Sequence, residues 1–351
     1  MIEEKITLAH GSGGTKTREL VEVFRELLGN PILDRLDDSA VLELEGGMRG
    51  KIAFTTDSFV VNPIFFPGGD IGKLSITGTI NDLASLGAVP KYISAGFIIE
   101  EGFSMGELKR IVASMAEEAR RCDVEVVAGD TKVVGVSQAD KIYINTAGIG
   151  VIPEGVEVGA HLAKPGDQII LTGTLGDHSI AIASARQDFM LQTKIKSDCQ
   201  ALHRLAQRAL KVGGTGIHTL RDVTRGGLAS VLHEIAKSSG VQILIYEDAI
   251  PVEDAVAGAC AILGFDVLHL PNEGKMVIFA EEDIAQRVAK EVRKTPEGRN
   301  AQIIGKVLEE EESERVGMGH QKDIFPVAML TSARGLRVVE PLVGEILPRI
   351  C

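Results

Sequence analysis

Apolar positions change period several times between residues 50 and 152. "KIAFTTD", "KYISAGFIIE", "VEVVAGD" and "KIYINTAGIG" are short runs rich in β-branched and aromatic residues and predict strands, whereas 70–88 and 104–121 carry helical spacing. The alternation predicts one mixed αβ domain. From 151 to 166, Pro153 and Pro165 with several glycines interrupt both periods and predict a joint. Beyond it "QIILTG" opens a second αβ series, with helices expected over 176–187, 199–211, 226–238 and 282–293 and strands over 241–247 and 275–280. The last stretch, "PLVGEILPRIC", holds Pro341, Gly344 and Pro348, which exclude a regular helix and predict a flexible tail.

The pattern sets expected boundaries at 1–155, 156–338 and 339–351, in an α+β fold. Two domains also suit the length, since 351 residues exceed the roughly 250–300 at which one core stops growing. The hydrophobic fraction of 44% and charged fraction of 25% are those of globular chains and exclude disorder. A net charge of -12 opposes nonspecific attraction to nucleic acid or to an anionic membrane, so neither is expected as a partner. The start, "MIEEKITLAHGSGG", lacks the basic-then-apolar order of a signal peptide, and no apolar run nears the roughly 18 residues of a membrane span. Cys122, Cys199, Cys260 and Cys351 show no CxxC spacing, which excludes a disulfide or zinc framework and makes a cytoplasmic location the expectation.

Carboxylates beside small residues mark the ends of apolar runs: Asp37 and Asp38 in "DDSAV", Asp57 in "TTDSF", Asn81 and Asp82 in "INDLASLGA", Asp130 with Lys132 in "AGDTK". Each alone is most simply a helix cap or turn residue. Together they predict one cleft whose charges require cations, and Mg²⁺ with a polyphosphate meets that need. "HGSGGTKT" would offer backbone N–H groups to phosphate, although it fits neither a Walker loop nor GxGxxG. "GGDIGKLS" fails as a Walker loop at Pro67 and Leu74. In the second half, "RDVTRGGLAS" and "PNEGKM" pair acidic residues with a glycine-opened helix, a second candidate anion site with a plain turn as the alternative. His178, His218, His233 and His269 form no ligand spacing and are expected to be structural, and Cys122, Cys199 and Cys260 to fill core.

In order along the chain, "AHGSGGTKT", "FTTDSFVVNPIFFPGGDIGKLSITGTINDLASLGAVP", "VVAGDTKVV", "RDVTRGGLA", "PNEG" and the terminal "PRIC" resemble the HypE family of hydrogenase maturation proteins. That family lies in the ATP-binding superfamily of aminoimidazole ribonucleotide synthetase and selenophosphate synthetase, and the likeness covers nearly the whole chain. It implies a two-domain PurM-like fold whose N-terminal αβ domain pairs with a second subunit in a barrel-like interface, with ATP in the cleft between domains. By motif it implies Asp38, Asp57, Asp82 and Asp222 as Mg²⁺ ligands, and Gly11, Ser12, Gly13, Gly14, Asn81, Asp130 and Arg225 at the nucleotide. Val223 departs from the proline frequent in relatives. The implied partners are a second copy of the chain, the carbamoyltransferase HypF as donor, and a HypC–HypD complex as cyanide acceptor for [NiFe] hydrogenase iron.

The implied reaction is the ATP-dependent dehydration of a carboxamide on Cys351 to a thiocyanate, with Glu273 as proton acceptor and Lys132 orienting the amide. The α-carboxylate of Cys351 disfavours its thiolate, and Arg349 is the expected offset. A tail of ten residues reaches at most roughly 33–36 Å, enough to sit in its own cleft or to meet a partner. Two other readings stay open from the residues: a superfamily enzyme acting on a free small-molecule amide, and a non-catalytic assembly scaffold.

Overall fold

The computed structural model describes residues 15, 18, 22, 33–35, 37–43, 51–186, 193–318, 327–342, 344 and 346–351. Strand β2 (Lys51–Phe59) shows why the first sheet is one-sided: its odd positions Ala53, Thr55 and Phe59 are buried while Phe54, Thr56 and Ser58 face out, the period of two of a half-covered strand. With β1 (Ala40–Glu43), β5 (Val89–Glu100), β6 (Glu125–Val134) and β7 (Ile142–Ile152) it forms a five-stranded sheet, order β1-β2-β7-β5-β6. Every pairing is antiparallel except β5 with β6. A two-stranded ribbon, β3 (Phe65–Phe66) and β4 (Gly69–Asp70), leads into the first helix.

That helix, α1 (Ile71–Ser85), starts where Asp70 caps it, its carboxylate accepting from the N–H groups of Gly72 (2.8 Å) and Lys73 (3.1 Å). Almost every residue of α1 is buried, so its sequence lacks a polar face. The cause is its position: the sheet covers one side and the C-terminal half of the molecule the other. Contact with the sheet is close enough to require glycine, since a Cβ at Gly148 would lie 2.6 Å from the Thr79 side chain. Helix α2 (Met105–Arg121) covers the same sheet face through Ile111, Met115 and Ala119, one helical stripe.

The linker 153–167 carries no regular element. After it comes a seven-stranded sheet, order β14-β13-β10-β12-β8-β11-β9, built from β8 (Gln168–Leu171), β9 (Ile217–Asp222), β10 (Ile243–Tyr246), β11 (Met276–Ala280), β12 (Gln302–Val307), β13 (Val327–Leu330) and β14 (Leu336–Val339). Its helices are α3 (Asp177–Ala185), α4 (His203–Gly213), α5 (Gly227–Ser239), α6 (Asp254–Leu263), α7 (Glu282–Val292) and α8 (Glu310–Arg315). The content is α+β, as expected. Helices α6 and α8 and strands β9, β12, β13 and β14 stand where the sequence pattern predicts no element.

Both halves share one core, where Phe59, Ile71 and Ile93 meet Ile180, Val256 and Leu270. The expected tail boundary at 339 needs correction: Val339 is buried and pairs with Val327, so the sheet runs one residue further. The tail itself, expected to be flexible, is docked, with Leu347 and Ile350 each 5% exposed in the shared core. No helix among the described residues is long and apolar enough to cross a membrane.

Candidate active site

Four carboxylates expected to act together lie on four different elements. Asp57 is on the inward side of β2, Asp82 on the last turns of α1, Asp222 ends β9, and Asp38 precedes β1. The Thr55 hydroxyl ties two of these elements, donating to Asp82 Oδ2 at 2.8 Å and reaching the Asp38 carbonyl at 3.0 Å. The Asp222 N–H donates to Ser85 Oγ at 3.2 Å, fixing the end of β9 against the end of α1. Burial lifts all four carboxyls above the usual range. The charges of Asp222, Asp57 and Asp38 raise Asp82 further, and those of Asp38 and Asp57 raise Asp222. Burial also takes Asp38 to about 6, against the opposing pull of Arg221, which pairs with it at 2.9 Å and with Glu234 at 2.9 Å.

This set tests well for a hard divalent cation in its chemistry: oxygen donors only, mutually repelling, in a cleft. It is not a finished coordination shell, because among the described residues no group of three or more His, Cys, Asp or Glu side chains is arranged to hold one ion.

The tail ends beside this cluster. Its backbone extends β2 like a short strand, with the Asn62 N–H donating to the Arg349 carbonyl and the Val60 N–H to the Cys351 carbonyl, both at 3.0 Å. His178 Nε2 donates to the Ile350 carbonyl at 2.7 Å, and Arg186 donates to the carbonyls of Pro348 (2.5 Å), Arg349 (2.9 Å) and Asn62 (2.8 Å). Arg349 donates to the Val60 carbonyl at 2.9 Å and pairs with Asp140. Arg349 therefore points away from the terminal thiol, a correction to the role expected of it. The cation acting on Cys351 is Arg225, on the loop between β9 and α5. Arg225 is exposed to solvent and Cys351 is half-buried.

Glu273 is the other neighbour of the thiol. It is 3% exposed, and its Oε1 has no hydrogen-bond partner. Burial pushes its carboxyl well up, Asp57, Asp198 and Asp222 add to the rise, and Arg225 opposes it. Burial likewise pushes the Cys351 thiol up, and Glu273 adds to that rise.

The remaining expected residues stand elsewhere. Asp130 and Lys132 pair at 2.8 Å on β6, an edge strand exposed on both faces, and no cleft charge acts on Asp130. Asn81 is 1% exposed and occupied by backbone, accepting from the Leu202 N–H (2.7 Å) and donating to the carbonyls of Gln200 (3.1 Å) and Glu273 (3.4 Å). It latches α1 to the C-terminal half and presents no free group to a nucleotide. Gly11, Ser12, Gly13 and Gly14 lie outside the described residues. His178 is structural as expected, holding the tail, and sequence reasoning missed Arg186, whose work is with backbone carbonyls and therefore leaves no motif. The other histidines are structural as expected: His218 meets Asp167 at 2.9 Å, and His233 and His269 reach the carbonyls of Val339 and Glu340.

Comparison with known proteins adds to this geometry. Residues 36–152 match the family model "AIR synthase related protein, N-terminal domain" and 164–317 its C-terminal counterpart. The carbamoyl dehydratase HypE of Bradyrhizobium diazoefficiens is 45% identical over 347 residues, covering 99% of this chain and 96% of that protein. Among solved structures, a HypE in complex with ATP has a TM-score of 0.80 at 42% identity, covering 99% of this chain and 100% of its own. A HypE–HypF complex has a TM-score of 0.83 at 44% identity over 92% of this chain and 99% of that one.

Proposed function

The chain belongs to the HypE family of hydrogenase maturation carbamoyl dehydratases, and from that premise we propose that it dehydrates a carboxamide carried on its own Cys351 to a thiocyanate at the expense of ATP. The observation that carries the reading is the docked tail, which brings the Cys351 thiol beside Glu273 and Arg225 next to the aspartate cluster. A free-substrate enzyme has no use for that arrangement, and a scaffold has no use for a buried base against a thiol.

An S-bound carboxamide loses one oxygen and two N–H protons to become S–C≡N. ATP supplies the phosphoryl group that turns the amide oxygen into a phosphate leaving group. Glu273, once ionised, accepts one proton from nitrogen as the oxygen is phosphorylated, and its raised proton affinity suits that task, while the second proton leaves with the phosphate. Arg225 lies where it balances negative charge around the reacting group. Asp38, Asp57, Asp82 and Asp222 would hold Mg²⁺, whose charge offsets that of the phosphates and relieves the mutual repulsion of the carboxylates.

Lys132 and Asp130 enter this scheme through a second copy of the chain. The outer face of the first sheet exposes Phe54, Tyr92, Ile98, Ile149 and Val151, and the edge strand β6 adds Val126, Val127 and Val133, an apolar area of the kind monomers seldom leave open. Among the described residues β6 ends the sheet, and its outer edge pairs with no other strand. A homodimer closing this face supports a role for Lys132 at the amide and for Asp130 at the nucleotide of the neighbouring subunit, with the loop at Gly11, Ser12, Gly13 and Gly14 covering the phosphates. HypF is the carbamoyl donor in this reading, supported by the similar HypE–HypF complex, and HypC–HypD the acceptor.

The test is mass spectrometry of the C-terminal peptide after incubation with HypF, carbamoyl phosphate and Mg-ATP. A gain of about 43 Da that falls to about 25 Da is expected from carbamoylation followed by loss of water. ATP hydrolysis with an unmodified Cys351 would overturn the reading.

A further inference from the structure

Glu273 presents a problem of aim. Its Oε1 has no hydrogen-bond partner, so the direction of the carboxyl must come from its backbone. That backbone is held at both ends. The carbonyl accepts from the Gln200 N–H (3.4 Å) and from Asn81 Nδ2 (3.4 Å). On the other side Asp198 Oδ1 accepts from the Glu273 N–H at 3.1 Å and Oδ2 from the Gly274 N–H at 3.2 Å, a two-pronged clamp on consecutive amides.

The fit is close. A Cβ at Gly274 would lie 2.0 Å from the Asp198 carbonyl oxygen, so glycine there lets the two segments touch. The Asp198 side chain is 2% exposed and its charge is balanced by Lys275 at 3.3 Å, which also reaches Asp177 at 3.5 Å. Gln200 completes the grip, donating through Nε2 to the Gly274 carbonyl at 3.1 Å.

We propose that Asp198 is a positioning residue for the dehydration: by clamping the amides of Glu273 and Gly274 it holds the Glu273 carboxyl against the S-bound carboxamide on Cys351. Asp198 acts through the backbone of Glu273, and the inference rests on the reading of Glu273 as the base.

The experiment is a double-mutant cycle on the full chain with Asp198→Ala, Glu273→Gln and both together. Each variant is incubated with HypF, carbamoyl phosphate and Mg-ATP, and conversion of the carbamoylated peptide to the thiocyanate is timed by mass. Carbamoylation of Cys351 reports folding and tail delivery in every variant. Asp198→Ala is expected to slow dehydration roughly 100-fold, the scale of an ångström of misplacement. Asp198→Asn, which keeps one acceptor, should slow it roughly tenfold, and it carries the same cycle if the alanine variant does not fold. In the Glu273→Gln background neither change slows the residual rate further, because the group they position is gone. An equal slowing in both backgrounds, or none in the parent, overturns the proposal. Glu273→Gln at the parent rate instead overturns the base assignment, a result read from that single variant.

Discussion

Replacing Arg186 by alanine should release the tail without touching the chemistry. Burial of Leu347 and Ile350 favours docking by about 3–6 kcal/mol. The hydrogen bonds from Val60, Asn62, His178, Arg186 and Arg349 add about 6 kcal/mol at about 1 kcal/mol each. Ordering the backbone of residues 346–351 costs about 6–12 kcal/mol. These terms nearly cancel, so docking is marginal and small changes move it far. Arg186→Ala removes the two bonds to Pro348 and Arg349, worth about 2 kcal/mol, and should shift the docked equilibrium roughly 30-fold toward release.

Two readouts isolate the effect. Cys122, Cys199 and Cys260 are buried, so alkylation of the native protein reports Cys351. The Val60 and Asn62 amides donate to the tail, so their hydrogen exchange reports docking independently. Both should accelerate in Arg186→Ala toward the rates of a released tail, by at most roughly 30-fold. Lysine at this position keeps the charge but not the fork whose Nε holds the Asn62 carbonyl while Nη2 holds those of the tail, and should recover only part of the loss. Unchanged exchange at Val60 and Asn62 would refute the reasoning.

Two further predictions concern the cluster and the sheet. Asp38, raised to about 6 from the usual 3.8, favours the folded state while protonated. Its contribution is therefore lost as pH rises from about 4 through 6, and the melting temperature of metal-free protein should fall across that window while the gain on adding Mg²⁺ grows, which differential scanning fluorimetry with EDTA or Mg²⁺ would measure. An equal Mg²⁺ shift at pH 5 and pH 8 would count against a carboxylate site. Val127→Asp, on the exposed edge strand β6, should convert a dimer to monomer by light scattering while leaving the stability of the fold within about 1 kcal/mol of the parent. A dimer that survives the charge would place the interface elsewhere.

Periodicity read β2, β5, β7 and α2 correctly because each has one covered face. Helix α6, "DAVAGACAIL", was illegible because small and apolar residues surround it, leaving no polar side to set a phase. β9, β12 and β13 are short strands of a sheet largely buried on both faces, where alternation vanishes, and β14 is an exposed four-residue edge strand too short to set a period. The aspartate motifs were legible singly, and their convergence follows from a fold that no spacing encodes. Asp198, in "IKSDCQ", has no motif at all, because what it recognises is a pair of backbone amides. Arg349 misled for the opposite reason: adjacency in sequence suggested an electrostatic partner for Cys351, whereas an extended tail with Arg349 at φ 52° sends the side chain toward Asp140.

The two positions of the tail divide its chemistry. As a nucleophile toward the carbamoyl donor, Cys351 must act as thiolate, yet in the cleft burial and Glu273 push its thiol far up. The docked free thiol is thus inert, and carbamoylation has to take place with the tail released. Once carbamoylated, the sulfur no longer titrates, and the same carboxylates that disfavour a thiolate no longer oppose docking. Because the docked thiol is raised above the free value of about 8.5, docking of the unmodified tail is intact below that pH and lost above it. Exchange at Val60 and Asn62 should therefore accelerate from pH 8 to 10 beyond the intrinsic rate in unmodified protein, and not in protein capped at Cys351 by carbamoylation. The same excess acceleration in both would mean that the cleft does not discriminate thiolate from amide, and that release and return of the tail are set by backbone contacts alone.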